Sequence, residues 1–230
     1  MSMFFLTNLS RSSTSMSQPV NIFTGSRLRA CVVRGFETHK GDHMRENRLF
    51  GKVDWHRQVQ AQFQGLEKKA QDLSAAKLAS ATDEEIVAEL VEECELNIPV
   101  IDENDITVSS REVTLDGRKG LSISVRVPFQ GDHDLLHVQP PTYGGNLPNG
   151  HVSGKFITFE VIGTDFEQRS PKPQIDKNIA AIQLNLEWQR QALGDFPARL
   201  AAEAARAVQA RRKNLAGNAS VIDQLGYKKG

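Results

Sequence analysis

Five side chains near the middle of the chain could do chemistry together: Asp132, His133, Asp134 and His137, with His151 a little further on. Imidazoles and carboxylates are the usual ligands of zinc and the usual partners in general acid–base catalysis. Spacing decides what they can do. On a helix, His133 and His137 would share one face and could reach one metal. On a strand, residues four apart are separated by about 13 Å, too far for a single ion. Leu135, Leu136 and Val138 mark this stretch as a strand, so the sequence predicts dispersed histidines and no metal site. A site survives only if Asp132–His137 is wholly loop, or if His151 folds back from the neighbouring strand.

The segment between them, QPPTYGGNLPNG from Gln139 to Gly150, is long for a connection without internal structure, and such loops often carry function. Tyr143 within it is one of two tyrosines. The candidate ligand pocket is therefore Asp132, His133, His137, Tyr143 and His151. The competing reading is a rigid surface connection, stiffened by three prolines and turned by three glycines. A second candidate is cationic. Arg199, Arg206 and Lys213 lie seven apart on a helix-forming stretch, a spacing that could set a row of phosphate contacts. The alternative is a solvated face whose cations complement a helix C-terminus. Cys94 sits among Glu92, Glu93 and Glu95, which disfavour a thiolate, and reads as a buried structural thiol. No Walker sequence, Gly-x-Gly-x-x-Gly, Cys-x-x-Cys or Gly-x-Ser-x-Gly elbow occurs, so no catalytic residue is assigned and no cofactor is implied.

The elements that would position these residues are clearer. From Lys172 to Lys213, Ile179, Leu186, Leu193 and Leu200 recur every seven residues, with Ile175 and Ile182 beside them. This draws one apolar seam along a long helix, predicted over 172–216, that must lie against a partner. The row keeps phase through Gly194-Asp195-Phe196-Pro197, so the expectation is one helix bent near Pro197, with a hairpin as the alternative. Part of so long a seam is expected to project, and Gly217-Asn218 to end the helix. Val221, Ile222 and Leu225 are expected to dock back from a 217–230 tail. In the 44–104 helical segment, Asp54 can cap a helix reaching about Leu78, with Val59, Leu66 and Leu73 as its stripe and Gln58 and Gln62 on its polar face. Thr82-Asp83-Glu84-Glu85 is a capping box opening a second helix. Period-two alternation then predicts an antiparallel sheet of about four strands over 105–163: Ile106–Leu115, a turn at Asp116-Gly117, Leu121–Phe129, Leu135–Val138 and Val152–Ile162. Pro128 argues that its strand lies at an edge or ends there. The fold class is α+β.

The chain has 230 residues, 28 basic and 28 acidic side chains, and mean hydropathy −0.40. Zero net charge gives no global bias toward nucleic acid, and no apolar run is long enough for a membrane helix. Two cysteines cannot make a disulfide framework, which suits a reducing compartment. Residues 1–43 stand apart. Met1–Phe36 lacks Asp and Glu but holds four arginines and seven serines, so this part reads as a disordered or non-native leader ahead of Met44, or as a transit peptide.

Val127-Pro128-Phe129-Gln130-Gly131-Asp132, a Pro-rich loop, an apolar strand and a Leu186-Glu187-Trp188 helix ending in Ala210-Arg211-Arg212-Lys213 together resemble a group of uncharacterised bacterial proteins, over about Met44–Gly226. The resemblance implies a cytoplasmic bacterial setting and no activity. The functional expectation is a non-catalytic interaction or scaffold protein working through its long amphipathic helix. Its partner would be another protein or a second copy, held in coiled-coil fashion at the Ile179/Leu186/Leu193/Leu200 seam. The alternatives are a small enzyme or ligand-binding domain at 132–151, and nucleic-acid binding by the basic helix end.

Overall fold

The computed structural model describes residues 48–224 apart from Tyr143 and Asn146. The expected leader and the last residues of the tail, Leu225 included, lie outside the described residues. A two-residue strand β1 (Val53–Asp54) runs straight into helix α1 (Trp55–Gln71), where the Asp54 carboxylate accepts from the amides of His56 at 2.8 Å and Arg57 at 3.3 Å. The helix does not reach Leu78. Ser74 can cap a new helix, and it accepts from the Lys77 amide at 3.1 Å to start α2 (Ala75–Ser80). Helix α3 (Asp83–Cys94) carries the full capping box, Thr82 and Glu85 each bonded to the other's amide. Its inner line is Ile86, Leu90 and the buried Cys94. The face that α1 buries is Trp55, Gln58, Gln62, Leu66 and Ala70. Gln58 and Gln62 are thus inside, contrary to the expected polar face. The line that packs follows the helix's own three- and four-residue steps, and the seven-residue stripe shares only Leu66 with it.

β2 (Val100–Ile101), β3 (Thr107–Leu115) and β4 (Arg118–Gln130) come next. Asp116 (φ 49°) and Gly117 (φ 77°) close β3 onto β4 in a two-residue turn of the type that suits twisted hairpins. β4 is the centre of a five-stranded antiparallel sheet: β3 and β2 line one edge, and β7 (Phe156–Gly163) and then β6 (His151–Ser153) lie beyond the other. Of the two readings of Pro128, the edge position is corrected, while β4 does end two residues later, at Gln130. The Pro128 carbonyl accepts from Asp102 at 3.0 Å on the β2/β3 side, so its missing amide faces the gap between those two strands, where no ladder bond is lost. The predicted fourth strand is in fact the β6–β7 hairpin, turned at Gly154 with φ 58°.

Leu135–Val138 is not a strand. His133–His137 forms a 3-10 helix, followed by β5 (Val138–Gln139), which pairs in parallel with β1. The turn sends its two adjacent leucines into two different cores. Leu135 joins the helical core with Trp55, Leu66, Ile86 and Leu200, and Leu136 joins the sheet core with Phe50, Val127, Ile157 and Leu186.

The C-terminal part is a long bent helix in two limbs, α4 (Lys172–Leu193) and α5 (Phe196–Gln224). The bend falls at Gly194 (φ 43°) and Asp195, and Pro197 sits harmlessly in the first turn of α5. α5 packs on α1 and α3 and not back along α4. The seven-residue row keeps facing inward across the bend: Ile179 and Leu186 lie against the sheet, while Leu200 is buried in, and Leu193 packs against, the helical core. The row that was to project is thus covered by the chain itself. What does extend is the end of α5, which runs through Gly217-Asn218 and leaves Val221 exposed, not docked.

Candidate functional site

The predicted pocket residues have separate jobs. Asp132 caps nothing through its side chain. It instead accepts from the Asn97 amide at 2.8 Å while its own amide donates to the Asn97 carbonyl at 2.9 Å, latching the end of the α3 region to the sheet. Gly131 (φ 111°) permits the close approach, since a side chain there would strike the Asn97 carbonyl. His133 is exposed and contacts Asp134 at 3.1 Å. His151 is exposed on β6. Tyr143 lies outside the described residues.

His137 is the exception. Its Nδ1 is buried without a partner, and its pKa is lowered to about 4 by burial, then by the nearby charge of Lys52, with His133 and His151 adding slightly and Asp134 opposing. Among the described residues, however, no set of three His, Cys, Asp or Glu side chains could hold a metal. The imidazole is a neutral hydrogen-bonding group at physiological pH.

The long loop is pinned to α4. Asn178 bonds both the amide (3.1 Å) and the carbonyl (2.9 Å) of Asn149, and Gly144 lies over the Trp188 ring, where a Cβ would come within 3.2 Å. Below it, Gln189 is fully buried, and its Nε2 donates to the carbonyls of Leu135 (2.8 Å) and Val138 (2.6 Å), which holds the 3-10 helix in place. Sequence reasoning missed this anchor. The signal was available: Ile182, Gln189 and Phe196 are seven apart, so Gln189 is the one polar residue in an otherwise apolar row.

The basic end of α5 divides into two faces. Arg211 donates to the Leu73 carbonyl at 3.0 Å, and Arg212 bonds Asp83 at 2.5 Å and the Ala81 carbonyl at 3.3 Å, so this pair holds the connections around α2. On the other face Arg199 contacts Asp195 at 3.7 Å and rests over the Phe63 ring, Arg206 pairs with Glu203, and Lys213 is exposed. Two of the three cations proposed for phosphate thus already have carboxylate neighbours.

The surface feature that sequence reasoning did not anticipate is a groove of about 490 Å³ between α4 and β2. Val100 and Leu184, 58% and 48% exposed, are its prominent apolar groups. Ala180, Leu184 and Glu187 recur at helical steps, so this flank of α4 is distinct from the buried seam. Glu103, Glu187 and Arg190 supply charge around it. Gln183 bonds Glu103 across the groove, and Arg190 donates to the Pro99 carbonyl at 3.0 Å. A smaller notch of about 220 Å³ between α1 and α3 is lined by the Lys69–Glu93 ion pair and Leu73, Ile86 and Leu90. No helix among the described residues is long and apolar enough to cross a membrane. No family model matches the chain, and neither a curated protein nor a solved structure matches it.

Proposed function

We propose that this chain is a non-catalytic interaction protein that offers the groove between α4 and β2 to a protein partner. The observation that carries the reading is the pair Val100 and Leu184, two large aliphatic side chains left about half exposed that line one concave surface. Apolar groups at the centre with carboxylates and an arginine around them have the composition of an interface core and its rim. The long bent helix contributes differently from the sequence expectation. Its seam fixes α4 onto the sheet, and its neighbouring flank faces outward.

Val100→Asp and Leu184→Asp test the reading. Both positions are exposed, so both variants are expected to unfold at the wild-type temperature while losing the proteins that the wild-type chain retains in affinity purification from its source cells. Full retention of the same proteins by both variants would remove the groove from consideration.

A second reading, a small-ligand site at the histidines, draws on the buried, unpartnered Nδ1 of His137. A ligand there would shift the His137 imidazole resonances selectively. An unchanged His137 signal across a ligand screen, with other residues moving, counts against it.

A further inference from the structure

The edge of the sheet formed by β3 is open and unguarded. Among the described residues, β3 pairs only with β4, through nine unbroken residue pairs from Thr107↔Arg126 to Leu115↔Arg118. It contains no proline and no bulge, no helix of the described residues is seen to cover it, and Thr107–Glu112 are exposed on both faces. Proteins ordinarily blunt such an edge by one of those devices. Because the hairpin closes with a two-residue turn, Leu115↔Arg118 is a hydrogen-bonded pair. Alternation then turns the amides and carbonyls of Leu115, Val113, Arg111, Ser109 and Thr107 toward β4. Those of Thr114, Glu112, Ser110 and Val108 point outward.

We infer that β3 pairs, antiparallel, with β3 of a second copy of this chain, joining two sheets about a two-fold axis at Arg111. This register sets Ser110 opposite Glu112 of the other copy and Val108 opposite Thr114. It satisfies all the outward groups with about eight hydrogen bonds, two for each close pair. The charge pattern selects a second copy over an unrelated strand. Asp102, Glu103 and Asp105 stand just before β3, while Arg118 and Lys119 follow the turn at its far end, with Asp116 in the turn itself. Within one chain these groups are separated by the length of a nine-residue strand, about 30 Å, well beyond the screening length in physiological salt. In the two-fold pair each basic tip lies beside the other copy's acidic base. The two Arg111 side chains meet at the axis as like charges, each offset by its own Glu160 at 3.2 Å. Glu103 also borders the α4 groove, but the pairing of β3 does not depend on the groove being used.

Light scattering on the full chain over a wide concentration range tests the inference. The expected mass at high concentration is twice the 25.5 kDa of one chain. Ser110→Pro removes an outward amide while leaving the bonds to β4 intact, and is expected to give a single-chain mass with an unchanged circular dichroism spectrum. Arg118→Glu/Lys119→Glu is expected to weaken dimerisation by about tenfold or more, and adding Asp105→Lys to recover part of that loss. A dimer indifferent to Ser110→Pro is built elsewhere and overturns the inference. A single-chain mass at every concentration overturns it as well. In that case amide exchange at Ser110 and Glu112 reports which alternative holds: protection means a segment of the same chain covers β3, and rapid exchange means the edge stays bare.

Discussion

Gln189→Met, compared with Gln62→Met, turns the buried polar groups into a quantitative test. Both glutamines are buried, one fully and one with 3% exposure, and both changes replace an amide by a thioether of similar length. Their bonding differs. Gln189 Nε2 bonds two carbonyls, whereas Gln189 Oε1 and Gln62 Oε1 are buried without partners. Removing Nε2 costs Leu135 one of two bonds, because its carbonyl also accepts from the Val138 amide, and takes from Val138 a direct buried partner. At about 1 kcal/mol for the shared acceptor and about 1–3 kcal/mol for the second, the loss is about 2–4 kcal/mol. Removing the orphaned Oε1 returns about 1 kcal/mol, leaving a net destabilisation of about 1–3 kcal/mol. For Gln62 the lost oxygen is itself an uncompensated buried acceptor, so Gln62→Met is expected to be neutral or stabilising by up to about 1 kcal/mol. Urea denaturation with matched slopes measures both, and Tm should fall by roughly 2–4 °C per kcal/mol for a chain of this size. Equal destabilisation by the two substitutions would refute the assignment of Gln189 as the anchor of the 3-10 helix.

Three further outcomes follow from the same contacts. With the His137 pKa lowered to about 4, the unfolded chain takes up the proton first as pH falls below 6.5. That stability is complete above 6.5 and is lost toward 4. The full drop corresponds to about 3 kcal/mol, which solvent access to the ring trims to about 1–2 kcal/mol; the wild-type minus His137→Asn difference across this window should show it. Leu186→Ala, in the sheet core, is expected to cost about 2–5 kcal/mol, while Leu184→Ala two residues away stays within about 0.5 kcal/mol, as thermal unfolding of the pair will report. Thr82→Ala removes half of the capping box on α3 and should cost about 0.5–2 kcal/mol, seen as faster amide exchange in the first turn of that helix.

Local signals carried much of the fold. Asp54, the Thr82/Glu85 box and the Asp116-Gly117 turn each act within four residues, and each forms as the sequence implies. The seven-residue row from Ile179 to Leu200 also held its inward direction, because helical periodicity is fixed by the backbone and not by what the helix meets. The errors arose where distant packing decides. Leu135 and Leu136 read as a strand by type alone, but they enter two separate cores from a 3-10 turn whose carbonyl at Leu135 is held by the distant Gln189 side chain. Gln58 and Gln62 read as surface because their burial depends on neighbours that one helix's sequence does not reveal. Pro128 read as an edge because nothing local shows that the strands beside β4 leave a gap at that residue. The groove was legible only in part: Leu184 falls outside the apolar row, which marks it as exposed, but its sharing a groove with Val100 depends on segments more than eighty residues apart in the chain. His133 and His137 read as strand residues about 13 Å apart, whereas His133–His137 is a 3-10 turn whose leucines pack into two cores.

Photo-crosslinking tests the central claim most directly. A benzophenone amino acid placed at Leu184, on the groove flank of α4, is compared in its source cells with the same group at Gln174, an exposed residue at the start of that helix. The account predicts a discrete adduct to a protein partner at position 184 that is absent at position 174 and is abolished by Val100→Asp. Equal, diffuse labelling at the two positions would contradict it.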